Sequence, residues 1–381
     1  MKNIGIFGGS FDPPHSEHIS LVEQAIKSLE LDKVYIVPEN IPTHKKNKSL
    51  SSDKDRLEMC KLAFSCLPCV EISDYELSAG GVSYTYLTCR YFKEKHPESR
   101  LFWFVGTDML RDFPTWKNPE EILSNATLAV CARNEEQGWI KKETENFENR
   151  FGQKFSLIDY QGKDVSSTQI RVLAGAGMDI TDYTGEPVAE YIQNAGLYAI
   201  PFADTSLSFQ TKKRREHSIR VAMLAAKRAL SLKISERKAI TASLFHDCAK
   251  NMSPDSPCFS DFQMQGVPKP VWHQYAGAYL AEHLFGEKDE EILNAVRYHT
   301  SGRENMTILE KLIFLADMLE EERDFPRVDE LRNLFWQDDT LDECMRVALK
   351  ETLLHLQNKG SEIYPLTQNA YEYYQKITNK K

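Results

Sequence analysis

The chain has no long apolar run. Among its 381 residues, no stretch approaches the ~20 apolar residues of a membrane span. Met1 to Phe7 holds only a short apolar segment before Gly8-Gly9, with no secretory h-region. A cytoplasmic protein without a membrane partner is the expectation. Basic charge is not in excess either: 47 Lys and Arg face 56 Asp and Glu, for a net charge of -9. That excludes non-specific nucleic-acid binding, which rests on basic patches. Small anionic substrates stay open, because local charge decides there. Cysteine is thin, eight residues over the whole length, as in a reduced protein with mostly buried thiols. Cys66-Leu67-Pro68-Cys69 is a lone CxxC with no partner for a zinc or redox role. Internal repeats and low-complexity tracts are absent. What remains is 41% hydrophobic and 27% charged residues, an ordinary globular composition long enough for two or three domains.

The character of the chain changes near residue 200. Before it, strand-like runs alternate with helix-like ones. Lys2 to Phe7, Val34 to Val37, Val70 to Ile72, Leu101 to Val105, Thr127 to Cys131 and Phe155 to Ile158 read as strands. His15 to Leu29 and Ser52 to about Phe64 read as helices. Such alternation predicts a Rossmann-like α/β domain, a parallel sheet covered on both faces. Beyond about Glu216 nearly everything has helical period, most clearly Ser218 to Leu230, Ser235 to Cys248, Val271 to Phe285, Glu290 to His299 and Thr307 to Leu319. The expectation is an α/β domain over 1–200, a linker over 201–215 and an all-α domain over 216–381. Lys212-Lys213-Arg214-Arg215 reads as a solvated helix start.

In the first half, a strand runs into Gly8-Gly9-Ser10-Phe11-Asp12-Pro13-Pro14-His15-Ser16-Glu17-His18. Glycines there let the backbone come close to a phosphate. The helix start that follows offers unpaired N–H groups and a positive dipole end to an anion. His15 and His18, three apart, share a helix face and can reach one polyphosphate. Val165-Ser166-Ser167-Thr168-Gln169-Ile170-Arg171 is a second helix start, with hydroxyls to cap it and an arginine one turn on.

These segments resemble the nucleotidyltransferase α/β phosphodiesterase superfamily, and within it the nicotinate-nucleotide adenylyltransferases. Pro38-Glu39-Asn40-Ile41-Pro42-Thr43-His44-Lys45, Ser83-Tyr84-Thr85, Gly106-Thr107-Asp108 and Trp116 match further family segments, so that the resemblance spans roughly residues 1–198. It implies transfer of AMP from ATP, with Mg²⁺, to nicotinate mononucleotide, releasing pyrophosphate. His15, His18, Lys45 and Arg171 would act on the phosphates. Gly8, Gly9, Ser10, Phe11, His44, Gly106, Asp108, Ser166, Ser167 and Thr168 would hold the nucleotide, and Thr85 and Trp116 the pyridine. The family's HxGH pattern has glycine where this chain has Glu17, whose carboxylate is expected to point away from the triphosphate.

The second half places His217, the pair His246-Asp247, His273, His299 and Asp317 on successive helices. Imidazole and carboxylate suit iron, manganese or zinc. An adjacent His and Asp can serve two metals if the carboxylate bridges. Asp317 lies inside Leu312-Ile313-Phe314-Leu315-Ala316-Asp317-Met318-Leu319, where an unpaired carboxylate would be costly and a ligand role explains it. His283 and His355 read as surface or packing residues.

Leu244-Phe245-His246-Asp247-Cys248-Ala249-Lys250, His299-Thr300-Ser301-Gly302 and Ala316-Asp317-Met318-Leu319-Glu320 resemble the HD-domain phosphohydrolases, and are similar to the bacterial symmetric diadenosine-tetraphosphate hydrolases, over roughly 210–375. The resemblance implies two divalent or mixed-valence transition-metal ions, iron ahead of manganese, and cleavage of diadenosine tetraphosphate to two ADP. Lys250 would meet a phosphate, with Arg303 and Arg323 as further candidates. Hydrolysis of another nucleotide, or a sensor role regulating the transferase, are the rival readings of this half. A homo-oligomer is compatible with the chain.

Overall fold

Six short runs rich in Val, Ile and Phe become six strands: β1 Asn3–Gly9, β2 Lys33–Pro38, β3 Val70–Ile72, β4 Arg100–Gly106, β5 Thr127–Ala132 and β6 Ser156–Asp159. The computed structural model describes residues 1–41, 50–132, 137–160, 162–262, 264 and 266–379. The strands form one sheet in the order β3-β2-β1-β4-β5-β6, and every pairing is parallel. Leu101 to Val105 is buried throughout, as a central strand covered on both faces requires. The Rossmann-like expectation is met. The order reverses between β1 and β4, so the crevice beyond their carboxyl ends is the switch point where open α/β sheets bind ligands.

The chain divides into two compact units, Met1–Ile170 with Asp179–Leu197, and Arg171–Met178 with Tyr198–Lys381. In the first unit, Arg56 is almost fully buried and ties two loops together. Its guanidinium donates to the carbonyls of Ser10 and Glu39 at 3.2 and 2.6 Å and to Asp53 at 2.7 Å. The glycine turn after β1 is thereby fastened to the segment after β2.

The second unit is helical. Its central helix, Ile308–Leu319, buries Leu309, Leu312, Ile313, Leu315, Ala316 and Leu319. Small side chains on the helices Lys212–Ala229 and Glu236–Phe245, namely Ala225, Ala239 and Ala242, join the same core and let backbones approach closely. Residues 201–215, expected as a linker, hold the helix Ala203–Ser208 and the opening of Lys212–Ala229. Ala203 and Leu207 pack in a core that also takes Val172 and Ala176. No described helix is long and apolar enough to cross a membrane.

Candidate functional site

A cavity of about 550 Å³ lies at the switch point of the first unit. Gly8, Gly9, Ser10, Phe11, His18, Thr85, Trp116, Ser166, Ser167 and Thr168 all line it, so most of the expected nucleotide and pyridine residues are brought together. Gly8 is dictated by packing: a Cβ there would sit 2.8 Å from the Trp103 ring. Phe11 adopts a left-handed φ of 46° and packs on Phe7 and His18, which turns the chain sharply toward the next helix.

That helix, Ser16–Ser28, begins with His15 as its N-cap residue. The His15 backbone N–H donates to Nδ1 of His18 at 3.1 Å. A neutral His18 must therefore carry its proton on Nε2, where it can be donated onward. The two imidazoles stack with centroids 3.7 Å apart. Burial pulls the pKa of His15 down to about 4. Burial, and then the neighbouring His15, pull that of His18 well below its ordinary value. Both rings are thereby held toward the neutral form at physiological pH.

The second helix start is built alike. The Ser166 hydroxyl accepts from the Gln169 N–H at 3.2 Å, and Ser167 donates to the Pro13 carbonyl at 2.9 Å. The second helix start is in this way fastened to the turn before the first. Gly106 and Asp108 stand outside the cavity lining, with the Asp108 carboxylate folded over Gly106 where a Cβ would collide with it. His15 lies behind His18 and is buried. His44 and Lys45 fall outside the described residues.

Arg171, expected on the phosphates, is paired within the fold. It belongs to the second unit, and its guanidinium makes a two-pronged ion pair with Glu236 at 2.7 and 2.9 Å. Removing either partner would strand a largely buried charge. The sequence motif shows the arginine but not which carboxylate the fold supplies to it.

The Glu17 carboxylate, expected to point away from the triphosphate, is engaged by Tyr160. The Tyr160 hydroxyl meets both that carboxylate and the Glu17 backbone carbonyl, the latter at 3.1 Å. A Cβ on Gly162 would strike both Tyr160 and Glu17, so that glycine makes room for the contact. Replacing Glu17 by glycine is expected to leave the KM for ATP within about threefold, since no repulsion is relieved. Steady-state kinetics checks this, and a large gain in ATP affinity would show that the carboxylate faces the substrate.

In the second unit all six expected ligands converge. The ligand atoms fall into three overlapping groups, each within 4.8 Å: His217, His246 and Asp247; His246, His299 and Asp317; Asp247, His273 and His299. Asp247 is the hinge of the arrangement. Its Oδ2 lies 4.0 Å from Nε2 of His217 and 3.5 Å from Nε2 of His246. Its Oδ1 lies 3.4 Å from Nε2 of His273 and 3.5 Å from Nε2 of His299. Asp317 Oδ1 is 2.9 Å from Nε2 of His217 and 4.0 Å from that of His246.

The outer nitrogens are oriented by the fold. Nδ1 of His246 meets the Ser243 carbonyl at 2.6 Å, and Nδ1 of His299 the Val296 carbonyl at 2.7 Å. Both Nε2 lone pairs are thereby turned inward. Glu320, one turn after Asp317, receives Nδ1 of His217 at 3.0 Å and Arg220 at 2.6 Å. Burial opposes charge on Asp247, but His246 and His299 outweigh it and hold the carboxyl far below its usual range. Asp317 is likewise held down, against burial, by its bond to His217 and by His246. Burial lowers His273 and His299. Ionised carboxylates and neutral imidazoles are the forms a metal requires, and His217, raised against burial by its bonds to Asp317 and Glu320, would give up a proton on binding one.

A divalent metal fits this donor set. His246 Nε2 and Asp247 Oδ1 are buried without a hydrogen bond, which is costly unless something else engages them. Three cations ring the cluster. Lys250 Nζ lies 3.0 Å from Nε2 of His273, Arg323 donates to Asp317 Oδ1 at 2.7 Å, and Arg214 donates to Asp247 Oδ2 at 2.8 Å. Arg214 corrects the reading of its basic run as merely solvated. Its spacing of three from His217 on one helix was the available signal. Arg303 is turned away and pairs with buried Glu310 at 2.7 Å.

Known proteins fall into the same two parts. The Cytidylyltransferase-like family model matches residues 6–173 and the HD domain model residues 214–322. A Mycoplasma genitalium protein named "Probable nicotinate-nucleotide adenylyltransferase/Ap4A hydrolase" is 29% identical over 84% of this chain and 88% of its own length. A Clostridium tetani protein named "Probable nicotinate-nucleotide adenylyltransferase" is 36% identical over 52% of this chain and all of its own length. Among solved structures, a Clostridium acetobutylicum protein described as a predicted HD superfamily hydrolase involved in NAD metabolism is 31% identical over 46% of this chain and 97% of its own, with a TM-score of 0.43. With a full-length single-function relative aligned to its first half and an HD domain in its second, the chain belongs to the nicotinate-nucleotide adenylyltransferase family, in a form that continues into an HD domain.

Proposed function

We propose that this chain is a bifunctional enzyme that adenylylates nicotinate mononucleotide in its first unit and hydrolyses diadenosine tetraphosphate to two ADP in its second. In the first, an oxygen of the mononucleotide phosphate attacks the α-phosphorus of ATP in line, and the bond to pyrophosphate breaks. No side chain need act as nucleophile, so catalysis is positioning and charge stabilisation. The Nε2–H of His18 and the helix start behind it face the triphosphate. Ser166 and Ser167 hold the second helix start beside them. Thr85 and Trp116, in the same cavity lining, would hold the pyridine.

For the hydrolase, His217, His246, Asp247, His273, His299 and Asp317 would hold divalent metal, which supplies Lewis acidity and a water of lowered pKa. The resemblance to the HD-domain phosphohydrolases puts iron first and manganese second. The chain's own contribution is to orient and to neutralise. Carbonyls of Ser243 and Val296 fix two imidazoles, and Lys250, Arg214 and Arg323 gather positive charge where a polyphosphate would lie. Water adds across an inner P–O–P link, and ADP leaves from each side.

The observation that carries this reading is Asp247, whose two oxygens each face a separate pair of histidines. The test is product analysis on the full chain. Diadenosine tetraphosphate should yield ADP alone. AMP with ATP would overturn the symmetric reading, and no cleavage at all would overturn the substrate.

A further inference from the structure

Glu76 is a buried acid that the mechanism above leaves without a task. It sits on the short helix Tyr75–Ala79 and lines the same cavity as Thr85 and Trp116, yet it is only 7% exposed. Thr88 on the helix Thr85–Lys95 donates to it at 2.5 Å. The Ser83 hydroxyl also bonds to it. The titratable groups around it are Tyr75 on its own helix, Cys89 on the helix Thr85–Lys95 and Glu39 beyond β2. Glu39 is itself occupied, accepting from Ser10 at 2.5 Å. Among the described residues no lysine or arginine forms an ion pair with Glu76. Lys117, which shares the cavity lining, lies over the Tyr84 ring at 4.2 Å.

We propose that Glu76 is a specificity-determining residue, accepting a pyridine carboxylate only in its protonated form and favouring the corresponding carboxamide once ionised. The inference rests on the reading of this cavity as the nicotinate mononucleotide site. Its chemistry is simple. A protonated carboxyl can donate a hydrogen bond to a substrate carboxylate, whereas an ionised one can only accept. Two carboxylates brought together in this cavity repel, and among the described residues Glu76 has no ion-pair partner to offset that. A carboxamide has N–H groups to offer the ionised form. Burial above all, against the bonds from Thr88 and Ser83, lifts the carboxyl of Glu76 to about 7, which puts the change within the working range of an enzyme.

The test compares kcat/KM for nicotinate mononucleotide and for its amide across pH, on the full chain. Both substrates carry the same phosphate and meet the same histidines, so those ionisations cancel in the ratio. The acid-to-amide ratio should fall about tenfold as pH rises from about 6 to about 8.5. Glu76→Gln, neutral at every pH, should flatten the ratio. Thr88→Val removes a donor to the ionised form and should move the fall to higher pH. A flat ratio in the parent chain, or an unchanged slope in Glu76→Gln, would overturn the proposal. Turnover of neither mononucleotide would instead overturn the reading of the cavity itself.

Discussion

Asp247→Ala should strip the second unit of bound metal and of hydrolysis together, while adenylyl transfer continues at its parental rate. Asp247 reaches both sides of the cluster through its two carboxylate oxygens. Its Oδ2 faces His217 and His246, and its Oδ1 faces His273 and His299. Loss of either terminal histidine would leave the opposite group nearly whole. Loss of Asp247 takes the shared ligand from both, and leaves Arg214 without its partner. A fall in turnover of at least about 10³-fold is expected, with metal content dropping in parallel. Elemental analysis of the same sample reads the second quantity. Lys250→Ala is the contrast, because Lys250 touches His273 from outside the donor set. Metal should stay while turnover falls about 10²-fold. Retention of metal by Asp247→Ala would refute the bridging assignment.

His18→Ala should lower kcat for adenylyl transfer by about 10²- to 10³-fold, the usual cost of removing one preorganised donor from a developing charge. The residue is fixed from three directions: the His15 backbone holds Nδ1, the His15 ring stacks on one face, and Phe11 packs against it. A ring so held can present Nε2–H without reorganising. The loss of stability should be smaller by comparison, about 1–2 kcal/mol, chiefly because the His15 backbone N–H loses its acceptor at a helix start. Thermal unfolding and initial rates on one preparation separate the two effects. A variant that unfolds but keeps its specific activity would place His18 in the scaffold instead.

The parts of these sites that were readable in the chain are those whose partners are local. His15 and His18, or Ser166 to Thr168, declare themselves because a helix start makes anion contacts with consecutive residues. Asp317 declares itself because a carboxylate inside an apolar helix needs a reason. The strands were readable because burial on both faces leaves an almost unbroken apolar run. What escaped depends on contacts across the fold. Arg171 carries the right charge at the right spacing for a phosphate, but Glu236 lies 65 residues on and claims it. Arg214 hides among three other cations, and only Asp247 distinguishes it. Glu76 has no pattern at all, and its burial arises from packing against the helix Thr85–Lys95. The helix Ala203–Ser208 shows too little periodicity to be seen, and its two apolar residues have meaning only beside a core.

The division of the chain also bears on the order in which the molecule is made. Synthesis runs from the N-terminal side, and domains generally fold as they emerge. The first unit is completed only by Asp179–Leu197, so it is interrupted by Arg171–Met178, which belongs to the second. Val172 and Ala176 therefore leave the ribosome long before Ile240 and Leu244, the side chains that share their core. Arg171 waits similarly for Glu236. During elongation this stretch is an unfinished piece of a later structure carried within an earlier one.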